Sequence, residues 1–365
     1  MKQKELIIFI PSIEGGGVEK NLFLITNFLS QKYKKIKFIT SSSLKKKFNE
    51  NITVFNKKYI KFFLNKRLTK VLNSSIELFI QLLKNKNCLV LSFQANVFAI
   101  TLAKFLNSRV IVRLNSSPTG WMNNNLKKKF FKLIYKKSDL IIVNSYNFKK
   151  EIFEKFNLKS ICIYNPIDKN NIINKSILPI KNPFKKKKSL KIINIGRLVD
   201  QKDHLTLLKS INTLKNILNL EVIILGRGVN KPKLKQYIYK NNLKKIIKII
   251  DFKKNPYPFI KHSNLMVLTS KYEGLPNVLL EGIVLKKFII SSNCPTGPSE
   301  ILDNGKGGFL FKTGSHRDLT KKIIKYFKNK KDIKIKINYS YKLLDRFEFK
   351  KQLTKYYDEI EKIFK

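Results

Sequence analysis

The chain has 365 residues, 43% of them hydrophobic, with only 14 glycines and 11 prolines. That is enough for two ordinary domains with cores of their own, and too apolar, with too few long polar tracts, for a disordered polymer. A formal net charge of +51 points on its face to nucleic acid or an anionic membrane, but nearly all of it is lysine spread evenly among Asn, Ile, Phe and Tyr, the residues of AT-rich codons. Compositional bias is read as its main source, and with no recognised nucleic-acid motif, nucleic acid is not expected as a partner.

Arginine is scarce by contrast: Arg67, Arg109, Arg113, Arg197, Arg227, Arg317 and Arg346 are all there are. Cys88, Cys162 and Cys294 are odd in number, far apart and without a CxxC pair, so neither a disulfide framework nor a zinc site is indicated. Five apolar residues at 6–10 are too few for a signal peptide, and no run approaches the roughly eighteen needed to cross a bilayer. A cytoplasmic protein is expected.

Along the first half, short apolar runs at 6–10, 37–40, 88–92, 110–113, 139–143 and 161–164 alternate with amphipathic helical stretches, the rhythm of βα units and a parallel sheet. Gly15-Gly16-Gly17 follows the first strand and opens a helix near Val18. It is a tight βα turn, or a loop that lets an anion or acceptor approach the backbone, and is neither a GxGxxG nor a Walker loop. Segments 59–67 and 126–137 interleave lysine with apolar residues. In the second, Leu126, Phe130, Leu133 and Ile134 share one helical face, which either turns to the core or rests on an anionic membrane.

Asn165-Pro166-Ile167-Asp168 opens a stretch rich in Asn, Lys and Pro that reads as an interdomain linker, and periodicity returns at Leu190. The second half repeats the rhythm, with strands at 191–195, 221–225, 246–250, 265–268 and 288–291. Gly196-Arg197-Leu198, with Gln201-Lys202-Asp203, follows the first of these strands. Arg197 and Lys202 there offer a planar fork and a mobile point charge to phosphate oxygens, although Lys202 alone, among so many lysines, is also readable as solvated charge. Gly226-Arg227-Gly228 follows the next strand. After 265–268 comes Glu273-Gly274-Leu275-Pro276-Asn277-Val278-Leu279-Leu280-Glu281, in which Pro276 suits a first helical turn and Gly274 permits close approach to a positive helix end. The two carboxylates there are readable either as ligand contacts or as solvated acids.

Glu273 and Glu281, with seven residues between them, resemble the E-x7-E motif of retaining glycosyltransferases of family 4, which have the GT-B fold. The words at 196–203, 226–228 and Pro295-Thr296-Gly297-Pro298-Ser299-Glu300-Ile301 resemble that family's other motifs in order and spacing, covering roughly 190–312 well and the first half loosely. In two places the chain departs from the pattern. Relatives often carry a His where Val112-Arg113-Leu114-Asn115-Ser116 has none, while His204, His262 and His316 all lie in the second half, where each is read as capping or covering a surface. Leu285-Lys286-Lys287 replaces the usual Gly and Pro before a strand.

The resemblance implies an α/β, GT-B architecture: two Rossmann-like parallel-sheet domains facing across a cleft. The expected division is an acceptor-side domain at 1–168, a linker at 169–189, a nucleotide-sugar-binding domain at 190–345, and a C-terminal helix at 346–365 that packs back toward the first domain. It implies a retaining transfer of hexose or N-acetylhexosamine from a nucleoside-diphosphate sugar, with uridine favoured, to a glycan or lipid-linked glycan acceptor in surface polysaccharide or lipopolysaccharide synthesis. An epimerase or sugar-phosphate transferase of the same fold is the alternative, and a basic nucleic-acid-binding protein a distant one.

Implied roles are catalytic for Glu273, Arg197 and Lys202. Glu281, Gly274, Leu275, Asn277, Val278, Gly196, Gly226 and Arg227 are implied to bind the donor, and Gly15, Gly16, Gly17, Arg113 and Asn115 to face the acceptor. Cations and a helix end stand where other transferases use a divalent metal, so no metal or cofactor is expected. Peripheral contact with the inner face of an anionic membrane fits a lipid-linked acceptor.

Overall fold

The computed structural model describes residues 5–44, 48–61, 66–85, 87–118 and 124–365. Residues 62–65 of the lysine-rich segment 59–67, and residues 1–4 of the apolar start, lie outside them. The chain divides into two compact units, one of Met1–Pro166 with Phe349–Lys365 and the other of Ile167–Glu348.

The first unit runs β1 (Glu5–Phe9), α1 (Gly17–Ser30), β2 (Ile36–Ile39), β3 (Ile52–Phe55), α2 (Lys66–Lys84), β4 (Cys88–Ser92), α3 (Asn96–Phe105), β5 (Arg109–Arg113), α4 (Asn125–Tyr135), β6 (Leu140–Val143), α5 (Tyr146–Phe156) and β7 (Ile161–Cys162). The strands form one seven-stranded parallel sheet in the order β3-β2-β1-β4-β5-β6-β7. Alternate residues of β1 feed two cores: Ile7 and Phe9 pack with α2 to α5, while Leu6 and Ile8 pack with α1 and the chain's last helix. Both faces are covered, so the strands read as unbroken apolar runs.

The second unit begins with α6 (Lys169–Ser176), followed by β8 (Leu190–Ile195), α7 (His204–Leu214), β9 (Leu220–Leu225), α8 (Lys231–Lys240), β10 (Ile247–Ile250), α9 (Tyr257–His262), β11 (Leu265–Leu268), α10 (Asn277–Val284), β12 (Phe288–Ser292), α11 (Pro298–Ile301), β13 (Phe309–Phe311), α12 (His316–Lys328) and α13 (Lys330–Lys342). Its six parallel strands are ordered β10-β9-β8-β11-β12-β13. The last helix, α14 (Phe349–Phe364), returns to the first unit.

Two strands escaped the pattern reading. Both are edge strands: β3 is half exposed and interrupted by Thr53, and β13, though apolar, is only three residues long. Residues 169–189, expected to be a linker, belong to the second unit. Asp168 caps α6 by accepting from the Asn171 N–H at 3.0 Å, and Phe184 is buried against Ile223 and Leu225. An eight-residue helix in an Asn- and Lys-rich stretch has too little periodicity to be seen beforehand. At 285–287, where the family resemblance leads to an expectation of glycine, the turn is made by Lys286 at φ 52°.

α14 is fixed by apolar burial of Leu353, Tyr356 and Ile360 and by polar ties, among them a hydrogen bond from Arg109 to the Ile363 carbonyl. Gln352 accepts from the Tyr164 N–H at 3.1 Å, Glu361 accepts from the Tyr33 hydroxyl at 2.7 Å, and the Tyr356 hydroxyl accepts from Arg113 Nε at 2.7 Å. Arg113 is only 1% exposed, and its other nitrogens donate to Asn115 and Asn165, with the Phe93 ring 5.8 Å from the guanidinium. A buried guanidinium requires such a shell, because an unpaired charge-bearing donor is expensive to bury. Tyr356→Phe leaves Arg113 Nε–H without its acceptor and is expected to destabilise the protein by about 1–3 kcal/mol. Urea unfolding should show a lower midpoint at unchanged slope; a wild-type midpoint would mean the hydroxyl holds nothing.

Candidate active site

Strand order locates the site. In the second unit the chain starts at β8, builds outward through β9 and β10, then crosses to the other side of β8 to build β11, β12 and β13. The loops leaving β8 and β11 therefore diverge from adjacent strand ends, the place where open α/β sheets take their ligands. The first loop carries Arg197 and Lys202, and the second carries Glu273, Gly274 and Leu275.

These loops are laced together. Thr269 Oγ1 donates to the Lys202 carbonyl at 2.8 Å, the Lys271 N–H to the Gln201 carbonyl at 2.8 Å, and Gln201 Nε2 to the Tyr272 carbonyl at 2.9 Å. At the centre Lys202 Nζ forms an ion pair with Glu273, and Ser270 Oγ donates to the same carboxylate oxygen at 2.6 Å. A third loop, following β12, joins in as Thr296 Oγ1 donates to the Glu273 carbonyl at 2.6 Å, and Ser292 Oγ donates to the Ser270 carbonyl at 2.6 Å. Glu273 is 7% exposed and Glu281 is 5% exposed, the latter with the Tyr257 hydroxyl 3.5 Å from Oε1, so neither is a solvated acid. Burial and the charge of Glu273 together push the neighbouring Cys294 thiol up to about 12.

Two glycines set how closely the loops approach. A Cβ on Gly226 would lie 1.8 Å from the Gly196 carbonyl oxygen, so the loops after β8 and β9 touch backbone to backbone. Gly297, at φ 89°, would put a Cβ 2.1 Å from the Gly274 carbonyl oxygen. Arg197 and Arg227 stand at the surface, the first 3.3 Å from Gln201 Oε1 and the second over the Phe252 ring at 5.2 Å. Helix α10 opens one residue later than the sequence indicated. Pro276 is extended at its N-cap, Asn277 is the first helical residue, Val278 is partly exposed and Leu275 is buried.

The first unit has its own switch point, between β1 and β4, and the glycine loop leaves β1 there. Gly15 has φ 86° and α1 begins at Gly17. Two amides of this loop are taken from within, which favours the tight-turn reading. Glu19 turns back so that its carboxylate accepts from the Gly16 N–H at 2.8 Å and from the Glu14 N–H at 3.2 Å. A Glu at the third helical position is the legible sign of this capping arrangement. Arg113, expected to face an acceptor, is interior instead, and half-buried Asn115 donates to the Phe93 carbonyl at 2.7 Å while receiving Arg113. Sequence reasoning also passed over Ser270 and Ser292, and gave Thr296 no role of its own, although their hydroxyls hold the Glu273 loop.

His204 corrects a further expectation, since it covers no surface. It is 2% exposed as the first residue of α7, and both ring nitrogens lack a hydrogen-bond partner. Burial, and secondarily the charge of Lys202, lowers its pKa to about 4 from the ordinary 6.5. The unfolded chain takes up this proton near pH 6.5 and the folded one only near 4, so stability is full above that window and falls through it, by up to roughly 3 kcal/mol. Melting curves from pH 7 to pH 4 should show a decline that His204→Leu flattens; an equal decline in both would assign it to other groups.

A Gly226→Ala change should cost at least about 2 kcal/mol of stability, because the backbone itself must move to admit the methyl. A thermal midpoint equal to wild type would show that the loops can separate freely.

Two parallel α/β units of seven and six strands, with the second unit's loops converging at its switch point, define the GT-B architecture. Residues 178–343 match the model of the glycosyl transferases group 1 family. An uncharacterized glycosyltransferase of Methanocaldococcus jannaschii is 34% identical over 206 residues, 54% of this chain and 51% of that protein. The Campylobacter jejuni N-acetylgalactosamine-N,N'-diacetylbacillosaminyl-diphospho-undecaprenol 4-alpha-N-acetylgalactosaminyltransferase is 26% identical over 275 residues, 72% of this chain and 73% of that one. The chain thus spans about half the length of the first of these relatives. Among solved structures, Anabaena HepE in complex with UDP-glucose superposes with a TM-score of 0.77 at 15% identity, covering 98% of this chain and 99% of that chain. Among the described residues no helix is long and apolar enough to cross a membrane.

Proposed function

We propose that the protein is a retaining glycosyltransferase that moves a hexose or N-acetylhexosamine from a nucleoside-diphosphate sugar, uridine diphosphate being the favoured carrier, to a glycan or lipid-linked glycan. The observation that carries this is the Lys202–Glu273 pair, held by hydroxyls at the switch point of a group 1 glycosyltransferase domain. The UDP-glucose complex of HepE and the diphospho-undecaprenol acceptor in the Campylobacter enzyme's name support the donor and acceptor chosen, and with them a role in surface polysaccharide or lipopolysaccharide synthesis at the cytoplasmic face of the membrane.

Cleavage of the sugar–phosphate bond leaves extra negative charge on the diphosphate, and fixed cations must meet it. Arg197 and Lys202 supply them, with the amides at the N-terminus of α10, from Asn277 and Val278 beside Gly274 and Leu275, as further donors. Gly196 and Gly226 let the diphosphate come close to backbone, Arg227 adds charge at the rim, and Glu281 takes the ribose hydroxyls. Glu273 is paired with Lys202 in the resting protein. An arriving diphosphate competes for that lysine, and the carboxylate it displaces becomes available to the sugar hydroxyls. The acceptor side is assigned to the glycine loop at Gly15, Gly16 and Gly17. No metal is needed in this scheme, so turnover should withstand a chelator.

Arg197→Ala and Lys202→Ala are each expected to lower turnover by about 10² or more. Glu273→Gln should abolish most transfer yet raise UDP affinity roughly fivefold, about 1 kcal/mol, by freeing Lys202. Initial rates with labelled nucleotide sugars and calorimetric titration with UDP measure these. Near-normal rates in both cation variants, or an isomerised donor as the product, would overturn the reading. Weaker UDP binding by Glu273→Gln would refute the competition.

A further inference from the structure

The structure turns most of the apolar face of segment 126–137 away from the core, with only Ile134 of that face packed half-buried against it. In α4 it is Phe131 and Tyr135 that reach the core, while Leu126, Phe130 and Leu133, spaced four and three residues apart on the opposite side, are 74%, 55% and 64% exposed. On the neighbouring α3, Phe98 and Phe105, two turns apart, are also exposed, the latter by 75%. Around the apolar ridge stand Lys127, Lys128, Lys129, Lys132, Lys136 and Lys137, and residues 124–138 contain no Asp or Glu.

We propose that this outer face of α3 and α4 is a docking surface for an anionic phospholipid bilayer. Three large side chains held in water along one ridge are unfavourable unless something apolar covers them. The order of chemistry across the face names the cover. Apolar side chains stand on the crest, where they enter the boundary between headgroups and acyl chains. Lysines stand on the flanks, where long stems let the ammonium groups reach lipid phosphates. A nucleic-acid surface would carry its cations along the line of contact with aromatic platforms between them, whereas this crest is Leu-Phe-Leu. The surface rests on the transferase reading only for its purpose, which is to hold the enzyme where a lipid-linked acceptor lies.

The full chain should cosediment with vesicles of phosphatidylglycerol and phosphatidylcholine and not with phosphatidylcholine alone. Each lysine near such a surface contributes roughly fivefold in partitioning, so Lys127→Gln, Lys129→Gln and Lys132→Gln combined should weaken it by roughly a hundredfold. Leu126→Ser, Phe130→Ser and Leu133→Ser combined should weaken it at least about tenfold. These residues are all exposed, so the fold survives. An equal loss of lysine charge on α13, by Lys330→Gln, Lys331→Gln and Lys334→Gln, should change partitioning less than about twofold, since those side chains lie in the other unit.

Equal loss in the α13 control would assign binding to overall charge and overturn the proposal. So would full binding by the serine variant, or no binding by the wild type. UDP titration of the same variants should match wild type; a wild-type chain that ignores UDP would count against the transferase reading and leave vesicle docking standing.

Discussion

The second unit depends on backbone meeting backbone at the carboxyl ends of its central strands. Gly226 lies against the Gly196 carbonyl and Gly297 against the Gly274 carbonyl, with no room for a methyl group at either contact. The Gly297 contact sets the loop after β12 against the loop after β11, where Thr296 ties the two, and the loop after β11 is tied in turn to the loop after β8 through Thr269 and Gln201. The charged pair comes last in this chain of causes: Lys202 and Glu273 meet because the chains bearing them already do.

Such a pair, buried on a scaffold of hydroxyls and carbonyls, is poor evidence for stability in itself, since desolvating two charges offsets most of their attraction. Its value lies in specificity. In the proposed function this largely shielded carboxylate and ammonium are preorganised for a ligand that brings a diphosphate for one and hydroxyls for the other. His204, buried and without a hydrogen-bond partner at the start of α7, is held below its ordinary pKa by burial first and by the charge of Lys202 second.

The first unit answers a similar geometry differently. Its glycine loop also sits at a switch point, yet Glu19 occupies two of the loop amides and fixes the turn from within. Arg113, one of seven arginines, is spent on Tyr356, Asn115 and Asn165, and so anchors the returning helix α14 to this unit. An arginine in a motif-like position is therefore not by itself a ligand contact; burial decided the matter.

The linear pattern alone determined the βα rhythm and both sheets' inner strands, because strand burial leaves periodic marks, and it set Arg197, Lys202, Glu273 and Glu281 beyond strand ends, while their reading as ligand contacts came from the family resemblance. Edge strands β3 and β13 left too little, the first being half exposed and the second only three residues long. What only the folded chain decided were partnerships between residues distant in sequence: that Lys202 finds Glu273 71 positions away, that Thr296 holds that loop, that Glu19 fills the glycine turn, and which side of α4 faces water. Spacing along a helix says which side chains share a face, but it takes the neighbouring elements to say which face is covered, and the same holds for every charge whose partner another loop supplies.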